Sequence, residues 1–159
     1  MNEAGQEFWG AARPRSSAIV RWLCSVALSM ISPSLWAATC TVSAGGIAFG
    51  GYDPFVNQNV DSVGNVSVHC DVATTYSIAL STGSGSYDSR AMTSSIHRLF
   101  YNLYIDATLT TVWGDGTGHS AIVGATQAIA NHTVYGRIPA AQNAHVGIYS
   151  DTIVVTLTF

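Results

Sequence analysis

Apolar and polar residues alternate along much of this chain with a period of two. Val66, Val68 and Cys70 alternate with Asn65, Ser67 and His69. Tyr76, Ile78 and Leu80 alternate with Ser77, Ala79 and Ser81. Ile153, Val155, Leu157 and Phe159 alternate with Val154, Thr156 and Thr158 up to the last residue. Successive strand side chains point to opposite faces, so each run predicts a strand with one face on a core. The stretch 99–105, Leu-Phe-Tyr-Asn-Leu-Tyr-Ile, is apolar at both parities. It predicts a central strand covered on both faces. Val134–Ile138 is a further strand candidate. Between the runs stand Gly45-Gly46 and the segments 50–54, 82–86 and 114–118, rich in Gly, Ser, Asp and Pro. Such residues favour positive φ or tight reversal. No stretch past residue 40 carries a helical period long enough to read as a helix. Short strands with frequent turns predict one all-β domain, a sandwich or barrel.

The first forty residues follow another pattern. Arg13, Arg15 and Arg21 precede a ten-residue apolar run from Trp22 to Ile31. Ser32-Pro33-Ser34 breaks it, and Leu35-Trp36-Ala37-Ala38 offers small residues. The run is too short to span a bilayer as a helix but suits a signal-peptide core. The order predicts a cleaved leader over residues 1–37, with the cut after Ala37 or Ala38, and a domain over residues 38–159. A buried helix is the alternative reading of the same run.

Composition sharpens this picture. Only 9% of residues are charged and 48% are hydrophobic, against about 25% charged in ordinary domains. All six basic residues are arginines, three of them in the leader. Arg90, Arg98 and Arg137 remain beside seven aspartates, a net charge of −4 past residue 37. That balance excludes a basic nucleic-acid-binding face. Cys40 and Cys70 are the cysteines left after the leader. Two cysteines in an exported chain read as one disulfide. The bridge would close a loop of 29 residues, worth roughly 3–4 kcal/mol. Two free thiols are the alternative; a zinc site lacks CxxC spacing or an accompanying His cluster.

Candidate chemistry is sparse. His69, His97, His119, His132 and His145 form no ligand-spaced pair, so no metal site and no cofactor is assigned. No GxSxG or SxxK motif is present, and no catalytic residue is assigned. Trp113 and Asp115, in Trp-Gly-Asp-Gly-Thr-Gly-His, offer a ring for stacking a sugar and a carboxylate for its hydroxyls. This loop, with Tyr101 and Tyr104 nearby, defines the alternative reading of a carbohydrate-binding adhesin module. A hairpin whose tryptophan packs on the sheet is the other reading of the loop. The alternating run at the end of the sequence predicts an edge strand open to pairing with another chain.

Several motifs occur together. Cys40-Thr41-Val42 is followed by Gly-Ile-Ala-Phe-Gly-Gly-Tyr-Asp-Pro at residues 46–54. Later come Tyr-Ser-Ile-Ala-Leu-Ser-Thr-Gly at 76–83, Tyr-Asn-Leu-Tyr at 101–104 and Val-Trp-Gly-Asp-Gly at 112–116. Tyr-Gly-Arg-Ile-Pro at 135–139 and the ending from Gly147 to Phe159 complete the set. In this order they resemble spore coat protein U domains, a family of secreted coat proteins and archaic chaperone–usher pilus subunits of Gram-negative bacteria. The resemblance implies an immunoglobulin-like β-sandwich that lacks its last strand. It implies an apolar groove filled first by a periplasmic chaperone and later by the N-terminal extension of another subunit delivered through an usher. It places the groove-lining strand at 152–159, with Ile153, Val155, Leu157 and Phe159 inward, and the family's disulfide at Cys40 and Cys70. The implied product is a non-enzymatic protein exported through the periplasm to a cell surface, pilus or coat, with no membrane span after leader cleavage. The chain departs from the pilus pattern at one point. Cleavage after Ala37 or Ala38 leaves at most two residues before Cys40, short of the 5–10 residues of a strand. That predicts a subunit accepting a strand without giving one, or a coat component. A cut after Ala27 would leave 28–39 as a donor, interrupted by Pro33.

Overall fold

The computed structural model describes residues 37–159. The predicted leader, except for Ala37, lies outside the described residues. Eight strands follow: β1 (Cys40–Ala44), β2 (Val60–Leu80), β3 (Arg90–Ser94), β4 (His97–Tyr104), β5 (Val112–Trp113), β6 (Ser120–Ala121), β7 (Val123–Ile138) and β8 (Val155–Thr158). No helix occurs among the described residues, so none there is long and apolar enough to cross a membrane.

The two alternating runs at 66–70 and 76–80 are halves of one strand, β2. One edge of β2 pairs along its length with antiparallel β7. Its other edge takes β1 opposite Val66–Cys70 and β8 opposite Ser77–Leu80. The β2–β7 register slips between His69 and Thr74. That irregularity reverses the parity of β7: Ala130, Val134 and Ile138 face the core after it, Val123 and Ala125 before it. A bulge adds residues to one strand and turns the partner's faces accordingly.

The ladder runs β1-β2-β7-β4-β5-β6, with β3 added to β4. The C-terminal half of β4 pairs with β7 and its N-terminal half with β3. Met92, Leu99 and Tyr101 from β3 and β4 enter the same apolar cluster as Val66, Val134 and Ile138. The sheet thus closes over one core as an open β-sandwich, the expected all-β class. Among the described residues no pairing joins β6 back to β1 or β8.

The stretch 99–105 departs from expectation. Leu99, Tyr101 and Leu103 are buried, but Phe100 is exposed. Asn102 is buried because Arg90 and the Tyr87 carbonyl hold its amide. This strand is covered by core on one face only.

Candidate functional site: an open apolar groove

Two irregular segments leave the sheet and face each other across an apolar groove. One wall is residues 44–55, leading out of β1; the other is residues 141–155, leading into β8. The wider chamber, about 980 Å³, has Met92, Leu99 and Ile138 at its base. The narrower one, about 370 Å³, is floored by Val66, Leu80, Met92, Tyr101, Leu103 and Val134. Ile47, Phe49, Met92 and Tyr149 line both, so the chambers meet there. The floor is the hydrophobic core itself. Phe55, Val146 and Ile148 on the rim of the wide chamber are almost fully exposed. Large apolar side chains clustered at a cleft mark a place where another surface docks.

The wall backbones are the second feature. Among the described residues, neither Gly46–Tyr52 nor His145–Tyr149 takes part in any backbone–backbone hydrogen bond. Side chains hold them instead. The Ser62 hydroxyl donates to the Ala48 carbonyl at 2.7 Å, and Phe49 packs edge-on against Tyr101. The Gln142 N–H donates to the Tyr52 hydroxyl across the groove at 2.7 Å. The Gln142 side chain pairs with both backbone groups of Phe100. Backbone amides and carbonyls need partners when they leave water.

The β8 residues behave as a graded series. Ile153, Val155 and Leu157 are half-buried against the core. Ile153 and Val155 line the narrow chamber, and Leu157 lies opposite Ile78. Phe159 shares their parity but is 54% exposed and lies past the β8 ladder, which ends at Thr158. Cys40 and Cys70 form a disulfide across the β1–β2 register, Cα atoms 4.1 Å apart. The bridge fixes the strand from which the first wall departs.

Asp151 ties the second wall to the sandwich. Its carboxylate accepts bonds from the Ser84 amide and hydroxyl, the Thr152 amide and, at 2.8 Å, the Tyr101 hydroxyl. Burial, then this carboxylate, pushes the Tyr101 phenol above its ordinary pKa. Gly83 sits at φ +59°, where a Cβ would collide with the Asp151 carboxylate, so this approach requires glycine.

Trp113 presents no ring at the surface of its loop. Trp113 is 0% exposed, and its indole N–H donates to the Ile78 carbonyl at 3.0 Å. No ring face is free to stack a sugar, which corrects the carbohydrate-binding reading at this residue. Tyr101 is buried as well. Asp115 is exposed and serves its own turn: the Thr117 hydroxyl and amide donate to it and hold its pKa down. Tyr104 lies between Tyr135 of β7 and Val112 of β5 in the ladder. Among the described residues no three His, Cys, Asp or Glu side chains converge as a metal site.

Sequence reasoning missed the walls. Their glycines and prolines read as turns, and nothing local shows that residues nearly a hundred positions apart face each other. The one available signal was the density of large apolar residues at 47–56 and 146–149 inside apparent loops.

An all-β sandwich with an apolar cleft reaching down to its core defines a class: open β-domains with an apolar groove. The sequence profile of the Spore Coat Protein U domain matches residues 26–156, and the chain belongs to that family. Protein U of Myxococcus xanthus is 31% identical over 140 residues, covering 76% of this chain and 77% of that protein. The fold is also similar, at a TM-score of 0.57 and 22% identity, to a chain in a crystal structure from Acinetobacter baumannii. That structure is the CsuC–CsuE chaperone–tip adhesion subunit pre-assembly complex from archaic chaperone–usher Csu pili. The match covers 77% of this chain and 40% of that one, so this chain spans less than half its length.

Proposed function

We propose that this protein is an exported, non-enzymatic structural subunit of a bacterial surface, and that its groove accepts an extended strand from another polypeptide. The groove between two walls without backbone partners carries this reading. A strand laid there would cover Met92 and its neighbours and satisfy both walls at once, the logic of β-addition. The match to a chain from a chaperone–subunit complex supports a periplasmic chaperone as the first occupant, and a neighbouring subunit, delivered by an usher, as the later one. Family membership and the relative Protein U support a surface or coat destination. Low charge fits this role, since little net repulsion opposes packing against copies or partners.

The test appends a strand. A Gly/Ser linker after Phe159 carries eight residues of alternating Val and Thr. We expect the denaturant midpoint to rise, while the same extension with Asp at the Val positions gives no gain. Equal midpoints for the extended and parent proteins would contradict an open acceptor groove.

A further inference from the structure

His97 and His145 stack face to face, with ring centroids 3.8 Å apart and planes 23° from parallel. His97 begins β4, immediately after the β3–β4 turn; His145 belongs to the second wall of the groove. The same turn meets the wall again two residues on, where a Cβ on Gly147 would come within 2.6 Å of the Ser94 hydroxyl. The wall is pinned at its start by Gln142 to Phe100 and at its end by the Thr93–Ser150 bridge. Between these points no backbone bond holds residues 145–149. The histidine stack and the Gly147 approach hold the middle, which carries the exposed Val146 and Ile148.

The charges around the pair are few. The Tyr149 hydroxyl donates to the His145 carbonyl, not to a ring. Tyr52, on the facing wall, is engaged by the Gln142 amide. The guanidinium of Arg98, next to His97, is bound to the Ser84 carbonyl. Among the described residues no carboxylate lies within salt-bridge distance of either ring. Nothing there offsets a second positive charge. Neutral imidazoles stack; two imidazolium ions at this separation repel.

We infer that the His97–His145 stack is a pH-sensitive latch on the groove wall, closed when the rings are neutral and released when both are protonated. The inference rests on the groove reading and adds its regulation. The latch holds where the rings are neutral and is lost on acidification, once both carry a proton. Release frees residues 145–148, moves the apolar rim and weakens the hold on an inserted strand.

Backbone 15N relaxation of the full chain, measured by NMR at pH 7.5 and pH 5, tests this. Wild-type order parameters at residues 145–148 should fall from about 0.85 toward about 0.6 at pH 5, with Val66 and Val68 in β2 unchanged. His97→Phe and His145→Phe keep an uncharged aromatic stack and should hold the wall at both pH values. His97→Gln and His145→Gln remove the stack and should leave the wall loose at both, a check that stands if the Phe variants fold poorly. Wild-type order parameters that do not change, or equal acid losses in the Phe variants, would overturn the latch. The strand-extended protein separates the two readings. An extension that never raises the midpoint refutes the groove, while the wall relaxation still decides the latch.

Discussion

Arg90 is fully buried, and no carboxylate is bonded to it. Its guanidinium donates to the Ser81 carbonyl twice, to the Trp113 carbonyl and to the Asn102 side-chain oxygen, all within 3.0 Å. The Tyr87 ring lies 5.4 Å from it. Burial pulls its pKa down, yet an arginine stays charged in a folded protein. One side chain therefore joins the end of β2, β4 and β5. Arg90→Leu removes the donors of the Ser81 and Trp113 carbonyls and one donor of the Asn102 oxygen, and should cost about 3–5 kcal/mol, read as a drop in denaturant midpoint. A variant within 0.5 kcal/mol of wild type, roughly the scatter of surface substitutions, would remove that role. Cys40→Ser should cost about 2–5 kcal/mol in the same assay; an unchanged midpoint would deny the bridge its energetic part.

Two residues contribute to the pH dependence of the fold. His132 receives or donates a 2.9 Å bond with the Tyr76 hydroxyl, and burial pushes its pKa down. The unfolded chain then takes up a proton near pH 6.5 before the folded one does. Its contribution is present above that pH and is lost as pH falls toward the lower folded value. Tyr101 acts at the other limit, with a folded pKa pushed up. Its contribution is intact below the ordinary phenol value near 10 and is lost as pH rises beyond it. Thermal midpoints across pH should fall at both limits. His132→Asn should flatten the acid limb and Tyr101→Phe the alkaline one; limbs that keep their slopes would assign the protons elsewhere.

At the scale of elements, alternation is readable where one face is wet. Val66, Val68, Cys70, Tyr76, Ile78 and Leu80 all point inward as their parity predicts. Their union into one strand was hidden by the mostly exposed stretch 71–75, Asp-Val-Ala-Thr-Thr, where the alternation breaks. The first half of β7 was hidden for another reason. The register slip reverses its faces, so no single period spans Val123–Ile138. Trp113 misleads because its glycine-rich flanks look solvated, whereas its burial comes from the distant Ile78 carbonyl and the Arg90 contact. Phe159 continues the β8 period past the end of the ladder. Pattern shows which face a residue takes but not whether anything covers it. Leu157→Asp tests the covered part of β8: a carboxylate opposite Ile78 should destabilise by about 2–4 kcal/mol. Phe159→Asp should change the midpoint by less than about 0.5 kcal/mol. Equal costs at both positions would mean that β8 is buried to its last residue.

At the scale of the molecule, the cleft reaches down to the core. Met92, Leu99 and Tyr101 are buried by the sandwich and also line the cleft. The Gln142–Tyr52 bond bridges the two walls, but, among the described residues, 46–52 and 145–149 make no backbone–backbone hydrogen bond. The account requires these walls to become ladder neighbours of a foreign strand. Amide exchange on residues 46–52 and 145–149, compared between the isolated chain and the chain in its assembled, partner-bound form, tests this most directly. The account predicts fast exchange at both walls in the isolated chain and at least about a hundredfold slowing on assembly, with the β2–β7 centre unchanged. Walls already slow in the isolated chain, or still fast in the assembled form, would contradict it.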